Sequence, residues 1–232
     1  MIKKLLFILL PLILSAQINL PLSTKQLLVV NSPELNSTTA SLQAYERRKG
    51  KWYKVFDAIK VNLGRNGLAW SSQNLIKDSN EELKYEGDGK APAGLFTLSG
   101  FFGYDKQDFK FPYQRLSSSD ICVDDSDSLY YNKLLQTQDF SRYKSYEKMK
   151  RDDILYELGI FVDYNTQGLK KRGSCIFIHI QRAESSPTSG CTSMQKEKLL
   201  KLMNWLEISK KPMLLQLPRT RFLLIAPRLG LK

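Results

Sequence analysis

Seven short β-rich runs, separated by clusters of Gly, Asn, Ser and Pro, place the strongest constraint on the fold of this chain. The runs are Gln26 to Val30, Ala40 to Arg47, Trp52 to Ala58, Leu95 to Phe101, Tyr156 to Tyr164, Ser174 to Ile180 and Met213 to Leu217. Short strands at this spacing are typical of antiparallel sandwiches and barrels rather than of repeated strand-helix-strand units. We therefore predict a mainly β fold, β-sandwich or barrel-like, with a few helices.

Two further segments are expected to contain helix. Ser193 can cap a helix that ends at Lys211-Pro212, because the apolar residues between them fall at helical spacing. These apolar residues are Leu199, Leu202, Met203 and Leu206. The polar stretch from Asp105 to Asp153 is typical of an insertion with one or two helices, for example around Ser145 to Leu155, which forms a wall or lid over a cleft.

The N-terminus has the pattern of a secretory signal peptide. Lys3 and Lys4 precede the apolar stretch Leu5 to Leu14, and Ser15-Ala16 supplies the small residues of a cleavage site. We predict a signal peptide over residues 1–16 and a single domain over residues 17–232. The expected location is the periplasm or cell envelope, with no membrane span after cleavage.

The charge of the chain favours anionic surroundings. The formal net charge is +12 for the full sequence, and loss of Lys3 and Lys4 with the signal would lower it to +10. Such a balance suits nucleic acid, lipid headgroups or an acidic wall polymer. Export argues against a nucleic-acid partner, and the basic residues are scattered as on a solvated surface. The oligomeric state is left open.

One histidine and three cysteines carry the candidate chemistry. His179 ends an apolar run, and Cys191 follows twelve residues later in Thr188-Ser-Gly-Cys191. A nucleophilic cysteine needs a base or a positive field, and a single histidine leaves one candidate for the base. Cys191 is also expected just before a helix start, which should lower its pKa. Cys122 and Cys175 form either a disulfide or two buried free thiols.

A metal or nucleotide site is not expected. Along a strand, four steps of roughly 3.3 Å would place Cys175 about 13 Å from His179, too far to share one metal ion. The sequence has no second histidine and no Cys-x-x-C pair. Gly87-Asp-Gly-Lys90 is not a phosphate loop, because Ala91 stands where Ser or Thr is required and Lys84 takes the first glycine position. We predict no cofactor.

Five segments, in this order, resemble the L,D-transpeptidase catalytic domain, most closely the YkuD-type branch of exported bacterial proteins of unassigned role. The segments are Gly87-Asp-Gly-Lys-Ala-Pro-Ala-Gly-Leu-Phe96, Val123-Asp-Asp125 with Ser128 and Tyr131-Asn132, Val162-Asp-Tyr-Asn165, Gly173-Ser-Cys-Ile-Phe-Ile-His179 and Pro187-Thr-Ser-Gly-Cys191. The resemblance covers about residues 60–207. Each segment alone has low specificity, but their shared order is specific.

The resemblance implies a β-rich domain in which Cys191 attacks an amide of a peptidoglycan stem peptide and forms a thioester. His179 would act as base for the thiol and as acid for the departing amine, and the backbone amides of Gly190 and Cys191 would stabilise the oxyanion. A stem-peptide amine would then complete an L,D-transpeptidase reaction. Water would instead make the protein an L,D-carboxypeptidase that trims D-alanine from tetrapeptides. A non-catalytic, exported wall-binding protein is the third alternative.

Several residues are candidates for binding substrate or supporting the cleft. They are Arg182, Ser189, Thr188, Tyr131, Asn132, Asn165, Gly173 and Ser174. The chain departs from the family pattern because Ser189 stands where many members have histidine, no arginine follows the cysteine, and only eight residues separate His179 from Thr188. Arg182 is the candidate replacement for binding a substrate carboxylate. Ser174, the Gly173 carbonyl and Ser189 are alternative partners that could orient His179.

Overall fold

The computed structural model describes residues 20–72 and 80–231. The predicted signal peptide, residues 1–16, lies outside the described residues. In the part of the chain that is described, no helix has both the length and the apolar character required to cross a bilayer.

Fourteen strands and two α-helices make up the described structure. The strands are β1 (Gln26–Ser32), β2 (Thr39–Arg48), β3 (Lys51–Lys54), β4 (Ile59–Asn62), β5 (Leu68–Trp70), β6 (Ala91–Gly103), β7 (Tyr113–Arg115), β8 (Asp120–Cys122), β9 (Leu134–Gln136), β10 (Glu147–Lys148), β11 (Leu158–Val162), β12 (Phe177–Ile180), β13 (Thr192–Met194) and β14 (Met213–Pro218). The helices are α1 (Lys196–Trp205) and α2 (Arg219–Leu229). The prediction of a mainly β fold with a few helices is confirmed.

The main sheet closes on itself. Its strands follow the order β1-β14-β6-β11-β12-β13-β4-β2, and β2 pairs back onto β1. Strand β3 extends β2 outside this ring, and β5 and β7 pair with β6. The sheet is thus barrel-like, but it is mixed rather than purely antiparallel, because the pairs β1–β14, β5–β6, β6–β7 and β12–β13 are parallel.

The core lies inside this closed sheet and under the two helices. Strand β1 is buried on both faces from Leu27 to Val30, because these residues belong to the core cluster and the strand contacts α2. It also pairs with a strand on each edge. A continuous apolar run is typical of a strand covered on both faces. Helix α1 buries Leu199, Leu202 and Met203, and it contacts β11 and β12. The helix therefore supports the strand that ends near His179.

The helix predicted after Cys191 begins later than expected. Helix α1 starts at Lys196 with Gln195 at its N-cap position, and Gln195 makes no side-chain capping bond. Ser193 lies instead inside β13. The prediction of a Ser193 cap was wrong because residues 192–194 pair with β12 and with β4, and this tertiary pairing overrides the local capping signal. Helix α2 had no counterpart in the sequence prediction.

The polar insertion contains a small second sheet and one short 3-10 helix, Phe140–Arg142, and not the helix expected around Ser145 to Leu155. Strands β10, β8 and β9 form this three-stranded sheet. The helix expected around Ser145 to Leu155 was wrong, because Glu147 and Lys148 pair with Cys122 and Ile121. Cys122 at the end of β8 forms a disulfide with Cys175, which precedes β12. The insertion is therefore covalently tied to the main sheet beside His179.

Candidate active site

His179 and Cys191 lie on neighbouring, parallel segments of the main sheet. His179 in β12 pairs in register with Ser193 in β13, and Cys191 stands two residues before Ser193. Paired residues point to the same side of a sheet, and so do alternate residues along a strand. Both side chains accordingly line one cavity of about 850 Å³. The parallel pairing thus brings together the two residues that the sequence singled out.

The sulfur of Cys191 is held by two backbone groups. The Phe177 N–H donates to Cys191 Sγ over 3.3 Å, and the thiol donates to the Cys175 carbonyl over 3.5 Å. Burial is the main cause that raises the pKa of Cys191 to about 12, and the negative charge of Glu147 adds to it. The Phe177 bond and the charge of Lys84 act in the opposite direction.

Two expectations about Cys191 therefore need correction. The residue does not lie just before a helix N-terminus, because β13 separates it from α1. Its pKa is raised rather than lowered. The cause is removal from water, which disfavours the charged thiolate. The Cys191 side chain is therefore a neutral thiol at neutral pH.

The imidazole of His179 is oriented by the carbonyl of the next residue. His179 Nδ1 lies 2.8 Å from the Ile180 carbonyl oxygen. Because a carbonyl can only accept a hydrogen bond, this contact places the proton on Nδ1 and leaves Nε2 as an acceptor. None of the predicted partners, Ser174, the Gly173 carbonyl or Ser189, makes this bond. The acceptor is thus the backbone of the adjacent residue rather than any of the predicted groups.

Burial also sets the protonation of His179. It lowers the pKa of the imidazole to about 4, and the charge of Arg151 acts in the same direction. The Ile180 bond and the charge of Asp153 oppose this shift. The ring of Tyr156 packs edge-on against the imidazole, with 5.2 Å between ring centroids. At neutral pH the cavity wall thus holds a neutral imidazole and a neutral thiol.

The turn before Cys191 is closed by Thr188. The Gly190 N–H donates to Thr188 Oγ1 over 3.1 Å, and Thr188 Oγ1 donates to the Cys191 carbonyl over 2.7 Å. Gly190 has φ +153°, and a Cβ there would approach the Lys90 carbonyl to 3.1 Å. Thr188, Ser189 and Gly190 all line the cavity. The Gly190 amide, expected to bind the oxyanion, is already engaged with Thr188 in this structure.

Two other predicted site residues, Asn132 and Asn165, hold the backbone of the cavity wall without lining the cavity. Asn132 donates to the carbonyls of Tyr164 and Asn165 and accepts from the Cys175 N–H. Asn165 in turn donates to the Gly173 carbonyl over 2.9 Å. Neither asparagine is among the residues that line the cavity. Together they fix the backbone at Gly173 and at the Cys175 amide.

Glu86 joins two further predicted residues. Tyr131 and Ser174 both donate their hydroxyl hydrogens to Glu86 Oε2, the latter over 2.7 Å. Burial and the hydrogen bond to Glu86 raise the pKa of Tyr131 above its ordinary value. Ser174, Glu86 and the exposed Arg182 line the cavity, whereas Tyr131 does not. Of the predicted set, Thr188, Ser189, Ser174 and Arg182 thus face the cavity together with the catalytic candidates and Gly190.

Sequence reasoning missed many residues of the cavity wall. Four of them are Lys84, Glu147, Arg151 and Tyr156. Tyr156 donates to Glu147 Oε1 over 2.6 Å, and Arg151 lies over the Tyr156 ring at 5.3 Å. Burial raises the pKa of Glu147. The sequence predicted that the polar insertion would form a wall or lid over a cleft, and Glu147 and Arg151 of that insertion line the cavity. No local pattern singled out these two residues, because they reach the site through tertiary packing.

The cavity has the polar character of a ligand-binding site. Its cationic side chains are Arg65, Lys84, Lys148, Arg151 and Arg182, and its acidic ones are Glu86, Asp124 and Glu147. Two buried lining atoms, Asp124 Oδ1 and Ser193 Oγ, have no hydrogen-bond partner within the described part of the chain. Buried polar atoms are normally paired, so these two are available to a ligand or to water.

Within residues 20–72 and 80–231, no three His, Cys, Asp or Glu side chains are grouped as metal ligands would be.

Comparisons with known proteins found no matching family model and no matching curated protein. Two solved structures are similar to the chain. One is the structure of Bd1075 of Bdellovibrio bacteriovorus, with 14% identity, a TM-score of 0.42, and coverage of 83% of this chain and 47% of that one. The other is the helical cell shape determining protein Pgp2 of Campylobacter jejuni, with 17% identity, a TM-score of 0.41, and coverage of 84% and 48%. The chain thus spans about half the length of each.

Proposed function

We propose that the protein is a cysteine-dependent enzyme that acts on peptidoglycan stem peptides as an L,D-transpeptidase. The observation that carries the proposal is the placement of Cys191 and His179 on adjacent parallel segments, facing one cavity of about 850 Å³. Such a volume is within the range of small-ligand sites. The ordered segments that resemble the L,D-transpeptidase domain supply the substrate class.

The acylation step uses groups that the cavity already presents. His179 Nε2 takes the thiol proton as Cys191 Sγ attacks the amide carbonyl between the third residue of the stem and D-alanine. The sulfur–carbon bond forms, and the carbonyl electron pair moves to oxygen. When the tetrahedral intermediate collapses, the carbon–nitrogen bond breaks and the imidazolium gives its proton to the departing amine. A thioester remains on Cys191.

The protonation of the resting pair determines how the thiol is activated. The pKa of Cys191 is raised to about 12 and that of His179 is lowered to about 4. A preformed thiolate–imidazolium pair is therefore disfavoured, and proton transfer accompanies attack on the bound substrate. The Ile180 carbonyl supports this step, because it holds the Nδ1 proton while Nε2 accepts the second one.

The second half-reaction separates the transpeptidase from the carboxypeptidase. A stem-peptide amine that attacks the thioester forms a cross-link, and water releases a tripeptide. Both reactions share the acyl-enzyme.

Burial of the Cys191 thiol with a raised pKa favours one further candidate, a wall-binding protein without turnover. The cationic side chains of the cavity would serve that function by binding stem-peptide carboxylates.

An envelope location accompanies this proposal. The disulfide between Cys122 and Cys175 leaves Cys191 as the free thiol. Disulfides persist mainly in oxidising compartments such as the periplasm. Export would place the protein in the compartment that holds its proposed substrate.

Defined muropeptides test the proposed function directly. The purified protein is incubated with tetrapeptide muropeptides, and the products are identified by their masses in mass spectrometry. Dimers support a transpeptidase, and loss of D-alanine without dimers supports a carboxypeptidase. Cys191→Ala and His179→Gln should abolish either product. If the intact protein yields no product and no thioester with the muropeptide or with a carbapenem, the enzymatic proposal fails and the binding alternative stands.

A further inference from the structure

A buried ammonium group lies at the wall of the cavity beside Gly190. Lys84 is 3% exposed and lines the cavity together with Gly190 and Cys191. A Cβ built on Gly190 would lie 3.6 Å from Lys84 Nζ, and one built on Gly173 would lie 2.8 Å from Lys84 Cε. The two glycines therefore leave the space through which this lysine reaches the site.

The ammonium is held in place by acceptors from one loop. Lys84 Nζ donates to Asp88 Oδ1 and to the Lys90 carbonyl, both over 2.8 Å. Asp88 is itself fixed, because it accepts from the backbone N–H groups of Tyr85 and Lys90. An ammonium has three hydrogens. In the described part of the chain two of them have partners, so one donor remains for the cavity.

One of the two backbone amides predicted to bind the oxyanion, that of Gly190, is already engaged. The Gly190 N–H is bonded to Thr188 Oγ1, so it cannot point to a substrate oxygen without losing that bond. The positive charge of Lys84 interacts with the Cys191 side chain: it acts to lower the pKa of Cys191, whereas burial raises that pKa. A donor that is fixed before the reaction stabilises developing charge at little reorganisation cost.

We propose that Lys84 is a further catalytic residue, whose ammonium group donates a hydrogen bond to the oxyanion formed when Cys191 attacks a substrate carbonyl. This inference rests on the proposed function of the site. The carbonyl electron pair moves to oxygen as the sulfur–carbon bond forms, and Lys84 keeps its proton throughout. The thiol proton passes to His179 and then to the departing amine. Lys84 thus supplies charge stabilisation and no proton.

The alternative is that Lys84 is only a structural partner of Asp88. Removing one member of a buried ion pair is strongly destabilising. A structural function would lower stability and would affect every reaction of Cys191 alike. An oxyanion contact instead affects acylation, in which a carbonyl oxygen gains charge, and spares alkylation of the thiol, in which no such charge forms.

The kinetic test compares these two reactions in the wild type, Lys84→Met and the matched control Lys150→Met. Lys150 belongs to the same polar insertion as part of the cavity wall, but it is exposed and does not line the cavity, so its substitution removes one positive charge without changing the wall. Acylation by the tetrapeptide muropeptide is followed by intact-protein mass spectrometry. We expect Lys84→Met to slow acylation by roughly 10²- to 10³-fold. Iodoacetamide alkylation between pH 8 and pH 10 should change less than tenfold, and Lys150→Met should acylate within about threefold of wild type.

The outcomes separate this inference from the function on which it rests. If wild type acylates and Lys84→Met acylates within threefold of it, the Lys84 assignment is overturned and the proposed function stands. Equal losses in acylation and alkylation also overturn it in favour of a structural function. If wild type forms no acyl-enzyme, both proposals fall.

A crystal structure of the wild type keeps the inference testable if Lys84→Met does not fold. The probe is a peptide aldehyde that ends in a diamino aldehyde, which forms a hemithioacetal with a cysteine and imitates the tetrahedral intermediate. We expect its oxygen within hydrogen-bond distance of Lys84 Nζ, about 3 Å. An oxygen that faces other donors, with Lys84 Nζ beyond about 4 Å, would overturn the assignment.

Discussion

The backbone amide of Phe177 donates a hydrogen bond to the sulfur of Cys191 across 3.3 Å. This bond links the candidate nucleophile to the strand that carries His179 two residues further on. A donor at the sulfur favours the thiolate, but burial outweighs it and raises the pKa of Cys191 to about 12. The sulfur is therefore held in place as a neutral thiol.

Alkylation of Cys191 should be slow at neutral pH. Reactivity follows the thiolate fraction, which is small for a thiol with a pKa of about 12. We expect iodoacetamide to modify Cys191 at pH 7.5 at least about 100-fold more slowly than a free thiol with a pKa of about 8.5. The pH dependence of the rate, read by mass spectrometry, measures the pKa, and Cys191→Ala controls for other sites. A measured pKa below about 8.5 would contradict the prediction.

Acid should destabilise the fold through His179. Its pKa is lowered from 6.5 to about 4 in the folded protein, so between these values the unfolded chain binds a proton that the folded one does not. The contribution of the neutral His179 to the free energy of unfolding is complete above pH 6.5 and is lost as the pH falls towards 4. The loss amounts to about 3 kcal/mol. Urea unfolding of wild type and His179→Gln from pH 7 to pH 4 should diverge by this amount, because carboxylates contribute equally to both.

The single histidine also allows a direct measurement. Its ring proton resonances, followed by NMR, should show no titration near pH 6.5. A midpoint close to that value would show that the imidazole is accessible to water and would refute the prediction.

Loss of the disulfide should lower the free energy of unfolding. Cys122 and Cys175 are 53 residues apart in sequence, and closing a loop of this length reduces the entropy of the unfolded chain. We expect the Cys122→Ala/Cys175→Ala variant to lose roughly 2–5 kcal/mol in urea unfolding. Reductant should destabilise wild type in the same direction and leave this variant unchanged. Equal stability of wild type and variant, both measured without reductant, would rule out a structural function for the disulfide.

Substitution of Asn132 should be far more destabilising than that of its neighbour. The Asn132 side chain bonds to the Tyr164 and Asn165 carbonyls and to the Cys175 N–H. Asn132→Ala leaves these groups without their partner and should cost roughly 2–4 kcal/mol. Lys133→Ala, in an exposed position with one backbone contact, should cost less than about 0.5 kcal/mol. Thermal unfolding of both variants checks the contrast, and similar losses would argue against the proposed support of the cavity wall.

The strands could be predicted where the signal was local. The predicted runs at residues 26–30, 40–47 and 213–217 fall inside β1, β2 and β14. The run from Ser174 to Ile180 was too long, because Cys175 has φ +54° and the strand begins only at Phe177. The assumption that Cys175 and His179 lie four steps apart along one strand therefore does not hold. A left-handed backbone at a cysteine has no local sequence signal; the partners that hold Cys175, the disulfide to Cys122 and the side chain of Asn132, come from distant segments.

The sequence by itself determined a mainly β fold and singled out Cys191 and His179, because strand patterning is local and the chain has one histidine. Only the tertiary structure decided the parallel pairing that brings the two residues to one cavity. It also decided the Ile180 bond that orients the imidazole and the approach of Lys84 to Gly190. The physical reason is that register, burial and desolvation arise from segments distant in sequence. Burial and desolvation also make Cys191 a neutral thiol with a raised pKa, whereas the sequence predicted a lowered pKa.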